Sequence, residues 1–170
     1  VYPLFLVGNM IYASPLVENC FIRQENVMLS SRFLFLNVGH SIDHLFMLMF
    51  PAVAALAAAD LSASYGEVLK LATGSFIAFG VFSLPMGWLA DRLSREFMMT
   101  VFFLGIGVAM ILTGFSNEEW QIFVSLILVG MFAAIYHPVG LAMVSPGGGD
   151  VGRRLGVNGV WGNMGVAASA

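Results

Sequence analysis

Leu71-Ala72-Thr73-Gly74-Ser75-Phe76-Ile77-Ala78-Phe79-Gly80-Val81-Phe82-Ser83-Leu84-Pro85-Met86-Gly87-Trp88-Leu89-Ala90 runs without a single charged side chain. An α-helix rises ~1.5 Å per residue, so about 20 apolar residues cross a hydrocarbon core ~30 Å thick. The stretch has that length, and similar stretches lie on both sides of it. Phe97 to Asn117 and Trp120 to Gly149 are free of charge, and Phe33 to Ala59 is interrupted only by Asp43. Leu155 to Ala170 is also uncharged, and the chain ends inside it. The pattern predicts an all-α integral membrane protein with spans over about 33–59, 71–90, 97–117 and 120–143, and the start of a fifth over 155–170. These are continuous apolar runs, not the alternating segments of about ten residues that build a membrane barrel.

The whole composition agrees. Hydrophobic residues make up 59% of the 170 and charged residues 10%, where a soluble domain carries about 25% charged residues. That excludes an ordinary soluble domain, and the hydrophobicity excludes intrinsic disorder. A net charge of -3 with no basic tract argues against nucleic-acid partners. The single cysteine, Cys20, excludes an intrachain disulfide framework.

The breaks between runs read as loops: Asp60 to Glu67, Arg92 to Glu96, Ser116 to Glu119, and the breaker-rich Ser145 to Asp150. Alternate loops face opposite sides. One side receives Arg32, Arg92, Arg95, Arg153 and Arg154; the other receives Lys70 with Asp60, Glu67, Glu118 and Glu119. The positive-inside rule makes the arginine side of this multi-pass protein cytoplasmic. Residues 1–27 read as an upstream extension before Met28. The alternative is a weak extra helix over Val1 to Val17, a stretch bracketed by Pro3 and Pro15 and lacking the basic start of a signal peptide. Residues 28–170 form the bundle proper.

Within the first span, His40, Asp43 and His44 stand at i, i+3 and i+4 and share one helical face, which Asn37 extends by a turn. A charge near mid-membrane costs at least ~2.5 kcal/mol, so it faces a partner or a cavity rather than lipid. The face is a candidate for proton exchange, with Asp43 taking and releasing the proton and a histidine sharing it, or for contact with a polar substrate. The structural alternative is a buried polar network that orients the helix. His40 and His44 also have metal-ligand spacing, a weak signal by itself; neither a metal nor a cofactor is assigned. His137 precedes Pro138, which removes a backbone hydrogen bond and bends its span. His137 either lines a cavity or bonds the freed carbonyls; Tyr136 is a cavity donor or an interface anchor. In the fifth span Gly156, Gly159, Gly162 and Gly165 recur at steps of three and read as a packing stripe. Asn158, Trp161 and Asn163 flank it; Asn158 joins the proton-coupling or substrate candidates, and Trp161 either stacks on a substrate or packs.

Gly87-Trp88-Leu89-Ala90-Asp91-Arg92-Leu93-Ser94-Arg95-Glu96 resembles the cytoplasmic loop between spans two and three of the major facilitator superfamily, Gly-x-x-x-Asp-Arg-x-Gly-Arg-Arg, with Ser94 in place of the second glycine and Glu96 in place of the last basic residue. Asn37-Val38-Gly39-His40-Ser41, Tyr136-His137-Pro138 and Gly162-Asn163-Met164-Gly165 resemble the fosmidomycin-resistance-type branch, which carries an acid after His-Pro where this chain has Val139. The resemblance covers about Asn37 to Ala170. It implies the first four to five helices of a twelve-helix secondary transporter, proton-coupled and of the antiport or efflux kind, whose carboxy-terminal half would be a partner together with a small organic solute, protons and the bilayer. It also implies a conformational latch: Asp91 toward a neighbouring helix start, Arg92 and Arg95 toward acids or lipid phosphates, and Gly87 giving close approach. On that reading the 170 residues alone would not transport.

Two other classes compete. One is an intramembrane metal-binding protein or metal carrier using His40, Asp43, His44 and His137, although the chain has no His-Glu-x-x-His helix. The other is a non-transporting remnant. The sequence carries no nucleophile elbow, P-loop or dinucleotide fingerprint, so an enzyme is not expected.

Overall fold

The computed structural model describes residues 4–7, 10–13, 30–145 and 150–170. Two short strands, β1 (Leu4–Val7) and β2 (Met10–Ala13), pair antiparallel with Leu4 opposite Ala13 and Val7 opposite Met10. This departs from the extra helix considered for that stretch. Gly8-Asn9 between the strands is a composition that favours two-residue hairpin connections, and Pro3 and Pro15 restrict a helix at either side. Met28 and residues 146–149 of the breaker-rich loop lie outside the described residues.

The rest is helix. α1 (Ser31–Asp60) has 30 residues, about 45 Å of rise, and opens on Ser30, whose Oγ accepts from the Phe33 N–H at 3.2 Å. α2 (Tyr65–Leu71) and α3 (Thr73–Ala90) together make the second span. Tyr65-Gly66-Glu67, expected in a loop, is the first turn of α2, because Ser64 and Glu67 form a reciprocal capping box. α4 (Arg95–Gly114) is capped by Ser94, whose Oγ accepts from the Phe97 N–H at 3.1 Å. The serine that stands where the family loop has glycine is thus a helix N-cap. α7 (Val151–Ser169) starts four residues before the expected 155, since Asp150 Oδ1 accepts from the Arg153 N–H at 2.9 Å.

The fourth span divides into α5 (Glu119–Ala133) and α6 (Tyr136–Val144). Pro138 explains the break. It has no N–H for the carbonyl of residue 134, four back, and its ring collides with that carbonyl. The ladder tightens there: the Ile135 N–H donates to the Phe132 carbonyl three residues back, at 3.1 Å.

Among the described residues four helical stretches are long and apolar enough to cross a membrane: 31–60, 65–90, 95–114 and 119–144. α7, with its glycines, asparagines and two arginines, is less apolar than these. The fourth span is the centre of the bundle: 56% of its most apolar window is buried, against 28% for each of the other three. α3 and α4 pack on α5, and α1 packs along α7. Glycines set the closest approaches: a Cβ on Gly130 would strike the Ser75 carbonyl of α3, and one on Gly165 would strike the Ser41 carbonyl of α1. Small residues have this use in membranes, where apolar burial gives little drive between helices and close contact supplies the attraction. The outer face carries Leu56, Leu84, Leu104 and Phe115, each at least two-thirds exposed, as a lipid-facing surface should.

The bundle has a basic end and an acidic end. Arg32 pairs with Glu96 at 2.9 Å, Arg95 reaches the Ala142 carbonyl and Arg154 the Ser145 carbonyl, so the starts of α1, α4 and α7 and the end of α6 meet. Asp60, Glu118 and Glu119 line a shallow pocket with Asn117 and Trp120 where α1 ends and α5 begins.

Candidate functional site

α1, α6 and α7 meet around a buried polar junction. Asn158 of α7 is fully buried, and its side chain donates to Asn37 Oδ1 at 2.9 Å and to the Tyr136 hydroxyl at 2.9 Å. Tyr136, also fully buried, donates to the Leu36 carbonyl at 2.8 Å. The backbone oxygen of Asn158 lies 2.8 Å from His40 Nδ1. A carbonyl only accepts, so Nδ1 carries the proton and His40 Nε2 presents its lone pair. Ser41 adds a further tie, donating to the Trp161 carbonyl at 2.6 Å. Both nitrogen and oxygen of the Asn158 amide, the Tyr136 hydroxyl and both His40 nitrogens find partners, as buried polar groups in an apolar surround require.

Next to it lies an ionisable cluster. His44 Nε2 is 3.1 Å from His40 Nε2, so His44 donates and His40 accepts. The His40 ring stacks on Tyr136 at 4.9 Å and meets the His137 ring edge-on at 5.5 Å. Asp43 is 2% exposed; its Oδ2 is 3.9 Å from His137 Nε2, and its Oδ1 has no hydrogen-bond partner among the described residues. His137 Nδ1 is likewise buried without one. His137 therefore does not bond the carbonyls freed by Pro138; the break in the span instead turns it toward α1. One ring nitrogen from each of His40, His44 and His137 lies within 4.8 Å of the other two.

The structure thus brings Asn37, His40, Asp43, His44, Tyr136, His137 and Asn158 together. Tyr136 is neither an interface anchor nor a free cavity donor but the centre of the hydrogen-bonded junction. Trp161 is partly buried and enters through its backbone carbonyl. The glycine stripe divides. Gly162 abuts the His40 ring and Gly165 the Ser41 carbonyl, while a Cβ on Gly156 or Gly159 would meet nothing within 4 Å. The reason is geometric: nine residues make two and a half turns at 3.6 residues per turn, so Gly156 and Gly165 lie on opposite faces. The buried face of α7 is instead Arg154, Asn158, Gly162 and Gly165.

At the basic end, a Cβ on Gly87 would meet Pro138 at 3.4 Å, an ordinary contact, so the packing of α3 there does not require glycine. Arg92 lies 3.5 Å over the Trp88 ring, and Arg95 is 3.5 Å from the Ala142 carbonyl. Asp91 is exposed and, among the described residues, has no ion pair or side-chain hydrogen bond. Glu96, the departure from the family's basic residue, takes Arg32 as its partner. Sequence reasoning missed Gly39 and Ser41 as contact positions, and Phe79, whose ring meets His137 edge-on at 5.4 Å. Only the nearness of Gly39 and Ser41 to His40 signals the first two.

A bundle of apolar helices around a buried ionisable cluster defines a multi-pass membrane protein with a polar centre. The chain belongs to the major facilitator superfamily, whose family model matches residues 37–170; this groups it with transporters and not with enzymes. It is also similar to puromycin resistance protein pur8 of Streptomyces alboniger, 32% identical over 111 residues. That alignment takes in 65% of this chain and 22% of the relative, so the chain spans about a fifth of that protein's length.

Proposed function

We propose that the chain is part of a secondary active transporter that exchanges protons for a small organic solute, working by alternating access in a bacterial-type inner membrane. The observation that carries the reading is Asp43: a carboxyl 2% exposed, between two membrane helices, with one oxygen unpartnered and a histidine 3.9 Å from the other. An ionised carboxylate in that position lacks the donors that would offset its burial. Proton uptake removes the charge, and a change in donors around Asp43 as helices rock would release it. His137, His44 and His40 make a chain of nitrogens along which the proton can pass. Asn37, Tyr136, Asn158 and Trp161 are then the walls that hold the site or touch the solute.

The basic end, with Arg92, Arg95 and the Arg153–Arg154 pair, is taken as cytoplasmic. Gly87, Asp91, Arg92 and Arg95 act there as the conformational latch, with Asp91 finding its helix-start partner in another conformation. The opposing bundle, the carboxy-terminal half of a twelve-helix protein, completes the pathway. The relative's name supplies the first probe, puromycin. The complete product of the gene is reconstituted in vesicles and given an imposed pH gradient. Solute movement that follows the gradient and stops with a protonophore is the expected result; flux indifferent to the gradient counts against proton coupling.

A further inference from the structure

We propose that His40, His44 and His137 form a binding site for a divalent transition-metal ion of the zinc class. Each histidine offers one ring nitrogen, and the three lie within 4.8 Å of one another. In a tetrahedral site with metal–nitrogen bonds of ~2.0–2.1 Å, neighbouring ligand nitrogens stand ~3.3–3.4 Å apart. His40 Nε2 and His44 Nε2 are already 3.1 Å apart. The third nitrogen closes the set by an inward shift of about 1.5 Å or less.

The surroundings are those of a ligand set. Metal-bound histidines nearly always donate their other ring N–H to a carbonyl or carboxylate, which fixes the tautomer. His40 does this, with Nδ1 2.8 Å from the Asn158 carbonyl oxygen, leaving Nε2 bare toward the cluster. His137 has a buried Nδ1 without a hydrogen-bond partner among the described residues, and its Nε2 is 3.9 Å from Asp43 Oδ2. A dication beside it gives the imidazole a bond and gives the buried carboxylate a countercharge. The ion replaces the Nε2 hydrogen that His44 now directs at His40; His44 then carries its proton on Nδ1, so no proton is lost from the pair. His137 is 33% exposed, which leaves the cluster reachable and a fourth coordination position open to water or Asp43. Imidazole nitrogens select zinc, cobalt, nickel or copper over magnesium and calcium.

Spacing gave the i, i+4 pair on α1, and the metal reading of the sequence added His137 without a geometry. The structure brings that third ligand from α6, where the break at Pro138 turns it toward α1. The inference does not rest on the transport reading, since metal uptake is measured without transport.

The test uses the full chain in detergent micelles, titrated with Co²⁺ and followed by visible absorption. One ion per chain is expected, with the ligand-field bands of a four- or five-coordinate site, displaced by one equivalent of Zn²⁺. His44→Gln and His137→Gln should each weaken binding at least tenfold. His137→Cys should retain Co²⁺ and add a near-ultraviolet thiolate-to-cobalt band, a signal that a folding defect cannot create. Binding by the His44→Gln/His137→Gln double variant equal to that of the parent, both eluting as one monodisperse species, would overturn the site. So would a Co²⁺-loaded His137→Cys chain without the thiolate band.

Discussion

Two interfaces of this bundle are built on opposite principles. Where α4 meets α5, Met98, Phe102, Ile106 and Ala109 and, from the other helix, Val129 and Ala133 belong to one apolar cluster, which reaches the polar side where Phe102 meets the Tyr136 ring at 5.6 Å. Where α1 meets α6 and α7, the contact is carried by Asn37, His40, Tyr136 and Asn158, and by glycines that admit a ring and a carbonyl. The first interface is held by shape and dispersion, which in lipid must substitute for the hydrophobic effect. The second is costly to build, because each polar atom needs a partner. Close packing alone would be met by an interface like the first. The polar one is set beside an aspartate with an unpartnered oxygen, the group on which the proposed proton exchange rests.

The comparison predicts different sensitivities. Phe102→Ala should have the largest effect on stability, about 3–5 kcal/mol, as a large ring leaves a filled core. Unfolding in mixed detergent micelles with rising dodecyl sulfate reads it, and a loss under ~1 kcal/mol would remove the dry interface as the stabilising region. Asn158→Ala should cost less, about 2 kcal/mol, although it deletes two side-chain hydrogen bonds, since such bonds average only ~0.6 and reach ~1.7 kcal/mol between membrane helices. A cost equal to that of Phe102→Ala would erase the contrast.

Gly162→Ala should follow at about 1–2 kcal/mol, because the added methyl meets the His40 ring at 2.8 Å and must displace it. Gly156→Ala, facing open space, should be neutral or stabilising by up to ~1 kcal/mol. Equal effects in the same unfolding assay would restore a four-glycine stripe. Smallest is Arg32→Ala. Its ion pair with Glu96 is more than half exposed on both sides, and such pairs are worth ~0–1 kcal/mol and fade with salt.

Much of this was legible from the sequence. Continuous uncharged runs anticipated the four helices long and apolar enough to cross a membrane, because a bilayer tolerates few charges; the fifth run, at α7, is not among them. The face shared by His40, Asp43 and His44 follows from helical periodicity alone. What could not be read is what depends on helices meeting. His137 joins that face from another span, and its orientation depends on a proline break. Asn158, a candidate from its place beside the glycines, ties three helices together, which no spacing shows. The glycine stripe was misread because steps of three drift around a helix with 3.6 residues per turn. Ser64 and Asp150 moved two helix starts earlier than the apolar runs suggested, since caps draw polar residues into the first turn.

The central claim is that Asp43 couples protons to solute, and one comparison tests it most directly. Wild type and Asp43→Asn forms of the complete transporter are reconstituted in vesicles. Each is assayed twice, for pH-gradient-driven accumulation and for exchange of labelled against unlabelled solute without a gradient. The account predicts that Asp43→Asn abolishes accumulation and keeps exchange, because the permanently neutral amide preserves the fold and the solute site but carries no proton. Accumulation by Asp43→Asn at the wild-type level would contradict it.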